Sequence, residues 1–426
     1  MNYNLDKVFG MSRNINEASY IDRAKLDAKF QRLLQRDMHI ALKGASKSGK
    51  SWMRQQGISD ANVVQCRLNK TIQDIYVEAL ANLGVKLIIE STTEGSINGT
   101  VEATGEMGTS ILAKVTGKMG ISASYKTSST EKDLKYDLNN LKFIADIIIE
   151  SGKRLVIEDF HYLSVENRKQ FAYDLKALWD YGCYAVIIGV WTQTNLLSYL
   201  NPDLSGRIEE LSVLWNDEDL MAVLDKGCKN LNVTMPNEIK FKMVGDSFGN
   251  VGILQALAYN YFEKLGVFET LPIKQVKGTL NDYGEAATTY AGQLDGLYQQ
   301  YANKLSKGIR NRKDSTGIYS YTMKAIVEAS DNKLQEGFSR DEIFDVISSW
   351  EERIQKGNLG TVLRKLEELQ VDADNKGLVL SYDESTDAVF VVDRQLLFYR
   401  KHHTMKWPWE ELIEESKATN LAEEEQ

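Results

Sequence analysis

Residues 44–51 read Gly44-Ala45-Ser46-Lys47-Ser48-Gly49-Lys50-Ser51, a complete G-x-x-x-x-G-K-[ST] pattern. Each position in it has a physical task. The glycines let the backbone curl until successive N–H groups converge on an anion, which suits the α- and β-phosphates of a nucleotide. Lys50 carries a point charge toward the β/γ-phosphates, and the Ser51 hydroxyl is a ligand for Mg²⁺. The flanks agree: His39-Ile40-Ala41-Leu42-Lys43 is a short apolar strand, and Ser51-Trp52-Met53-Arg54 opens a helix whose N-terminus favours anions. The eight loop residues together with Trp52 are the expected nucleotide contact, with ATP as the ligand and Mg²⁺ as its metal.

Outward from this stretch, strands and helices alternate. Asn62–Cys66 reads as a strand, Thr71–Leu83 as a helix, Asp133–Ser151 as a helix, Arg154–Asp159 as an apolar strand ending in two acids, Glu166–Asp180 as a helix and Ala185–Val190 as a buried strand. That order predicts an α/β fold with a parallel, doubly wound sheet over residues 1–214. Within it, 21 of the 40 residues 91–130 are Gly, Ser or Thr. Ile111–Val115 and Met119–Tyr125 alternate in strand fashion, so this insertion reads as a β-hairpin or a flexible loop. Residues 215–282 turn helical (Asp217–Lys226, Asn237–Val244, Val251–Leu265), as a helical lid would, and Tyr283–Ser306 starts a linker helix over 283–316. The region 317–400 reads as a winged helix. Its helices are Tyr321–Ala329, one opened by the capping box Ser339-Arg340-Asp341-Glu342, and Leu359–Leu369; its wing pairs Gly377–Tyr382 with Ala388–Val392. An acidic tail over 401–426 closes the chain.

Composition narrows the class. With 426 residues, 43% hydrophobic and 26% charged, the chain is ordinary for a water-soluble protein of two or three domains. No apolar run is long enough to span a bilayer and the first residues lack a signal-peptide pattern, so a cytoplasmic location is expected. Cys66, Cys183 and Cys228 are odd in number and widely spaced, and read as buried thiols of a reducing compartment. The segment Glu410–Gln426 holds seven glutamates against one lysine, and so carries −6 of the −9 net charge. It reads as a solvated end or an interaction arm. The rest is near neutral, without a general footprint for nucleic acid.

A phosphate loop needs a partner carboxylate at the end of a neighbouring strand. Leu155-Val156-Ile157-Glu158-Asp159 supplies two: Glu158 to meet Mg²⁺ directly or through water, and Asp159 to polarise the attacking water. The order reverses the commoner one, which leaves the roles exchangeable or the hydrolysis slow. Arg207 is a candidate arginine finger and Thr192 a candidate sensor of the γ-phosphate; an ordinary surface arginine and a strand-end threonine fit those positions equally well.

This order of parts resembles the AAA+/STAND branch of P-loop ATPases, especially the Orc/Cdc6-like and transposition-regulator ATPases. The motifs that carry the resemblance are the phosphate loop, Leu155–Asp159, and Tyr20-Ile21-Asp22-Arg23, which resembles the family's N-terminal box beside the adenine. The resemblance implies that Tyr20 and Arg23 lie near the base, that Thr192 is the sensor and that Arg207 reaches a neighbouring copy's nucleotide. Similarity to ATPases of bacterial anti-phage operons is a further reading. Where many relatives carry a Pro-Arg sensor, the lid helix here begins Gly249-Asn250-Val251-Gly252.

Two functions follow as expectations. One is an ATP-hydrolysing switch that forms a ring or filament and controls a partner effector protein. The other is an ATP-gated DNA-binding initiator or loader. The third helix of the winged region carries Arg364 and Lys365 but also Glu367 and Glu368, and the wing turn holds Asp383, Glu384 and Asp387; these acids repel phosphates. Basic residues gather instead at Lys304, Lys307, Arg310, Arg312 and Lys313, a charged linker or a contact surface. The insertion adds Lys114, Lys118 and Lys126.

Overall fold

In the computed structural model the described residues are 2–93, 96–118, 131–137, 141–308, 316–370 and 378–414. Lys126, Arg310, Arg312, Lys313, the stretch 119–125, Gly377 and residues 415–426 of the acidic tail lie outside them. The chain divides into two compact units, one of Asp22–Gly44 and Lys50–Val213, the other of Met1–Ile21, Ala45–Gly49 and Leu214–Gln426.

The first unit holds strands β1 (His39–Lys43), β2 (Ala61–Gln65), β3 (Val85–Thr93), β4 (Ser96–Ala103), β5 (Glu131–Asp137), β6 (Arg154–Glu158), β7 (Ala185–Gly189) and β8 (Ile208–Ser212). Five of them form one parallel sheet in the order β2-β6-β7-β1-β8. Alternate residues of β6 serve opposite faces, as the strand period of two requires. Leu155 and Ile157 join a core with Phe143, Ile147, Phe171 and Leu175, from the helices Leu141–Glu150 and Val165–Asp180. Val156 packs on the other face with Phe30, Leu33 and Met53, from the helices Ala24–Leu34 and Lys50–Gly57. Near-continuous apolar strands covered on both faces are what a parallel, doubly wound sheet demands.

Two readings, one within the insertion and one just after it, are corrected. Ile111–Val115 is not a strand: Gly105–Lys118 is a helix that buries Ile111, Leu112 and Val115 on one side. Its Gly108 backbone lies so close to Gly84 that a Cβ there would meet the Gly84 oxygen at 2.1 Å. Glycine there permits a close backbone approach instead of marking a loop. Asp133–Ser151 is likewise not one helix, since β5 occupies 131–137 and the helix runs Leu141–Glu150. β3, β4 and β5 form an antiparallel sheet of their own, built from strands other than the Ile111–Val115 and Met119–Tyr125 pair.

The second unit is mostly helical: Asp217–Asn230, Asn237–Asp246 and Val251–Lys264 lead to a 28-residue helix, Leu280–Lys307. Beyond it come Ile318–Glu328, Asp331–Glu336, Arg340–Trp350, Lys356–Arg364 and Leu366–Gln370, then Gln395–His402. The Ser339–Glu342 capping box forms as the sequence predicts. The expected single helix Leu359–Leu369 is broken at Lys365. Strands Leu380–Asp383 and Ala388–Val391 pair antiparallel, and Phe338–Ser339 joins the outer edge of the second. One continuous apolar core runs from Leu5 and Phe9 through Leu257 and Tyr298 to Phe398 and Trp409. Among the described residues no helix is long and apolar enough to cross a membrane. All three cysteines are buried, and burial pushes each thiol up to about 12.

Candidate functional site

The phosphate loop leaves the carboxyl end of β1, the edge at which open α/β sheets bind ligands. Lys47 and Gly49 both adopt left-handed backbone, at φ 60° and 84°. Glycine takes that conformation without strain, whereas Lys47 must be held in it by its surroundings. Lys50 is only 8% exposed, and its ammonium donates to the Gly44 carbonyl at 3.0 Å. Burial lowers its pKa to about 8, against the raising influence of Asp159 and Glu158. The cation therefore sits within the field of both acids, so these three sequence-predicted residues are brought together.

β6 delivers the acids. Glu158 ends the strand and accepts from Arg54 Nε and Nη2 at 3.2 and 3.0 Å; Arg54 comes from the helix that opens with Lys50 and Ser51. Asp159 follows in left-handed backbone at φ 56°, which turns the chain sharply at the strand end. Its carboxylate accepts from the Gln65 side-chain amide, and Gln65 stands beside Glu158 in the parallel register of β2 and β6. Burial first, and then the neighbouring Glu158, raise the Asp159 pKa.

His161 stands two residues further on. Burial, with the Lys50 and Arg168 charges, lowers its pKa to about 3, and its Nδ1 accepts from the Val190 N–H at 3.3 Å. Thr192 is half-buried beyond β7. Around it, Glu210 binds Trp191 Nε1 at 3.0 Å and Lys43 at 2.9 Å, and Lys43 also donates to the Gln193 carbonyl at 3.4 Å.

Arg207 is not part of this cluster. It precedes β8, and its carbonyl accepts from the N–H of His39, the first residue of β1. That is the sheet edge opposite the loop. Its guanidinium stacks 4.8 Å over the Trp179 ring and donates to the Asp203 carbonyl. Arg23 is buried, and its N–H and guanidinium bond the Asp27 carboxylate. In the helical unit, the Tyr20 carbonyl accepts from Lys226.

Sequence reasoning missed Arg54, Gln65 and His161. Arg54 carries a readable clue, four residues after Lys50 on one helix; Gln65 needs the strand register. It also missed Gln395, whose Oε1 takes a 2.8 Å bond from Lys47 inside the helical unit.

A hydroxyl at Ser51 and a carboxylate at Glu158 are hard oxygen donors of the kind Mg²⁺ prefers, so the residues present fit that ion. Among the described residues no group of three or more His, Cys, Asp or Glu is gathered to hold a metal by protein ligands alone.

No protein-family model matches the chain, and no curated protein matches it. Among solved structures, it is similar to a Walker-type ATPase of Pyrococcus abyssi: 16% identity over 92% of this chain and 99% of that one, TM-score 0.56. A STAND protein with a tetratricopeptide repeat sensor from Pyrococcus horikoshii matches at 11% identity and TM-score 0.37, over 90% of this chain and 42% of that one. The RuvB Holliday junction branch migration motor of Thermotoga maritima matches at 12% and TM-score 0.34, over 77% and 87%. The first likeness runs nearly end to end on both chains and agrees with the strand–loop–helix geometry at Gly44–Ser51. The chain has the P-loop ATPase fold.

Proposed function

We propose that the protein is an ATP-hydrolysing switch that assembles with copies of itself and acts on a partner protein. The observation that carries the reading is the buried Lys50 at the carboxyl end of β1, within the electrostatic reach of Glu158 and Asp159 at the carboxyl end of β6. In this reading the loop N–H groups and Lys50 bind the phosphates, Trp52 lies against the nucleotide, and Tyr20 and Arg23 lie by the base. Ser51 and Glu158 would hold Mg²⁺, which when bound supplies positive charge against the phosphate oxygens. To do so Glu158 must exchange its bond with Arg54. Asp159 would take a proton from the attacking water, and its raised pKa improves it as a base. Thr192 would sense the γ-phosphate.

Arg207 lies at the other sheet edge, so any finger role would be played on a neighbouring copy. Residues 317–400 would be a winged helix, supported by the helix order and the small antiparallel sheet. Several of its acids already have partners, with Arg340 on Asp387 at 2.8 Å and Ser381 on Glu367 at 2.5 Å. Those pairs favour protein docking over DNA. The test is phosphate release together with mass photometry, with and without a slowly hydrolysed ATP analogue. Turnover, loss of turnover in Asp159→Asn, and a mass increase with nucleotide are expected. A monomer at every concentration with ATP would contradict the assembly. DNA retention on filters with a steep salt slope would favour the initiator reading instead.

A further inference from the structure

Loop residues Ala45–Gly49 pack with the helical unit, although the lysine and serine that follow belong to the sheet unit. Three consecutive carbonyls of this stretch are each taken by a donor from the helical unit. Asn250 Nδ2 donates to the Ser46 oxygen at 2.8 Å, the Gly252 N–H to the Lys47 oxygen at 3.2 Å, and Trp215 Nε1 to the Ser48 oxygen at 2.8 Å. A trans peptide is planar, so its N–H points opposite its C=O. Holding the carbonyls of residues 46, 47 and 48 toward these donors turns the N–H groups of Lys47, Ser48 and Gly49 the other way. The Ser48 N–H closes a long 3.3 Å turn bond on the Ala45 oxygen. With Lys47 and Gly49 both left-handed, the stretch has the ingredients of an anion nest.

The contact is close-packed as well as hydrogen-bonded. A Cβ on Gly252 would lie 2.5 Å from the Lys47 Cβ and 2.8 Å from its carbonyl oxygen. Asn250 performs two separable tasks. Its Oδ1 caps the helix Val251–Lys264 by accepting from the Gly252 and Ile253 N–H groups at 2.9 and 3.4 Å, while its Nδ2 reaches the loop. The side chain at the start of this helix thus acts on the loop backbone.

We infer that Asn250 and Trp215 are positioning residues for phosphate recognition, tying back the Ser46 and Ser48 carbonyls so that the intervening N–H groups face the phosphates. The inference rests on the nucleotide reading of residues 44–51. Asn250→Asp keeps the capping oxygen but replaces the donor with an oxygen facing the Ser46 carbonyl. Trp215→Phe keeps an aromatic ring but removes the N–H.

The test uses the full chain, titrated with a fluorescent, slowly hydrolysed ATP analogue and Mg²⁺, then with inorganic tripolyphosphate as competitor. Losing one donor should weaken both ligands roughly fivefold in Trp215→Phe and more than tenfold in Asn250→Asp. The ligand-free melting temperature should fall by a few degrees for the carbonyl left unpaired, with the chain still fully folded at the titration temperature. Unchanged affinity in both variants overturns the inference. So does a loss of affinity that disappears once the folded fraction at the titration temperature is corrected for, since a purely structural role would act that way. If the unsubstituted chain binds neither ligand, the nucleotide reading fails first and the inference falls with it.

Discussion

Lowering the pH from 8 to 5 should destabilise the sheet unit through His39, and the size of the effect follows from its surroundings. His39 is fully buried, with Nε2 2.8 Å from the Leu175 carbonyl and Nδ1 accepting from the Ala185 N–H at 2.9 Å. Both ring nitrogens are satisfied only in the neutral ring with its proton on Nε2. A second proton would displace the Ala185 bond and place a charge in the core, and burial lowers the pKa from 6.5 to about 4. The folded pKa lies below the unfolded one, so the stabilisation is complete above 6.5 and is lost as the pH falls toward 4. Linkage gives a loss of about 2 kcal/mol at pH 5 relative to pH 8. His161, lowered to about 3, adds a similar amount of about 2 kcal/mol at pH 5.

Urea unfolding at half-unit intervals from pH 5 to 8 measures the slope of stability against pH. Replacing His39 with Phe should lower stability at every pH, by roughly 1–3 kcal/mol for the Leu175 and Ala185 groups left unpaired. It should also remove about 1.2 kcal/mol per pH unit from the slope near pH 5.5. His161→Phe offers the same test at a site where the ring accepts from the Val190 N–H. If either variant retains the full slope of the parent, the reasoning from burial to protonation is wrong for that site.

Other outcomes follow from the site and the helical unit. Nucleotide affinity should hold below pH 8 and fall by up to tenfold per unit above it, because phosphate binds the protonated form of Lys50, whose pKa in the free chain is about 8; titrations from pH 7 to 9.5 read this. Arg207→Ala should leave nucleotide binding intact and remove turnover, with about 1 kcal/mol of stability lost from the Trp179 stack; equal turnover in parent and variant excludes the finger role. Asp246 is buried and receives the Tyr283 hydroxyl at 2.7 Å, Lys401 at 2.5 Å and His402 at 3.1 Å, so these partners hold its pKa well below the usual carboxylate range despite burial. Its contribution is present above the unfolded pKa and lost in acid, so Asp246→Asn should destabilise by roughly 3 kcal/mol at pH 7 and less at pH 3, measured by denaturant melts. Gly252→Ala should weaken nucleotide binding by crowding Lys47, at an overpacking cost of roughly 1–3 kcal/mol; a variant binding as tightly as the parent would show that the loop yields freely.

What could be read from residues alone was what neighbours in sequence decide. Gly44–Ser51, the apolar run ending in Glu158-Asp159, and the Ser339–Glu342 cap are all local patterns, and each lands on the expected element. Gly105–Lys118 defeated the reading because its glycines look like loop composition, whereas Gly108 is there to let two backbones cross beside Gly84. Gln65 was invisible for a different reason: its meeting with Asp159 depends on the register of two strands 94 residues apart. Asn250 and Gln395 reach the loop across 204 and 348 residues, and no periodicity reports contacts of that range. The reversed acid order was legible, but the Arg54 pair that currently occupies Glu158 was not.

The central question is whether Gly44–Ser51 holds a nucleotide through Lys50. Calorimetric titration of Mg²⁺-ATP into the full chain and into Lys50→Ala measures this. Saturable one-to-one binding by the parent is expected, with binding abolished in a variant that melts at the same temperature. Equal binding by both chains, or none by a folded parent, would contradict the account.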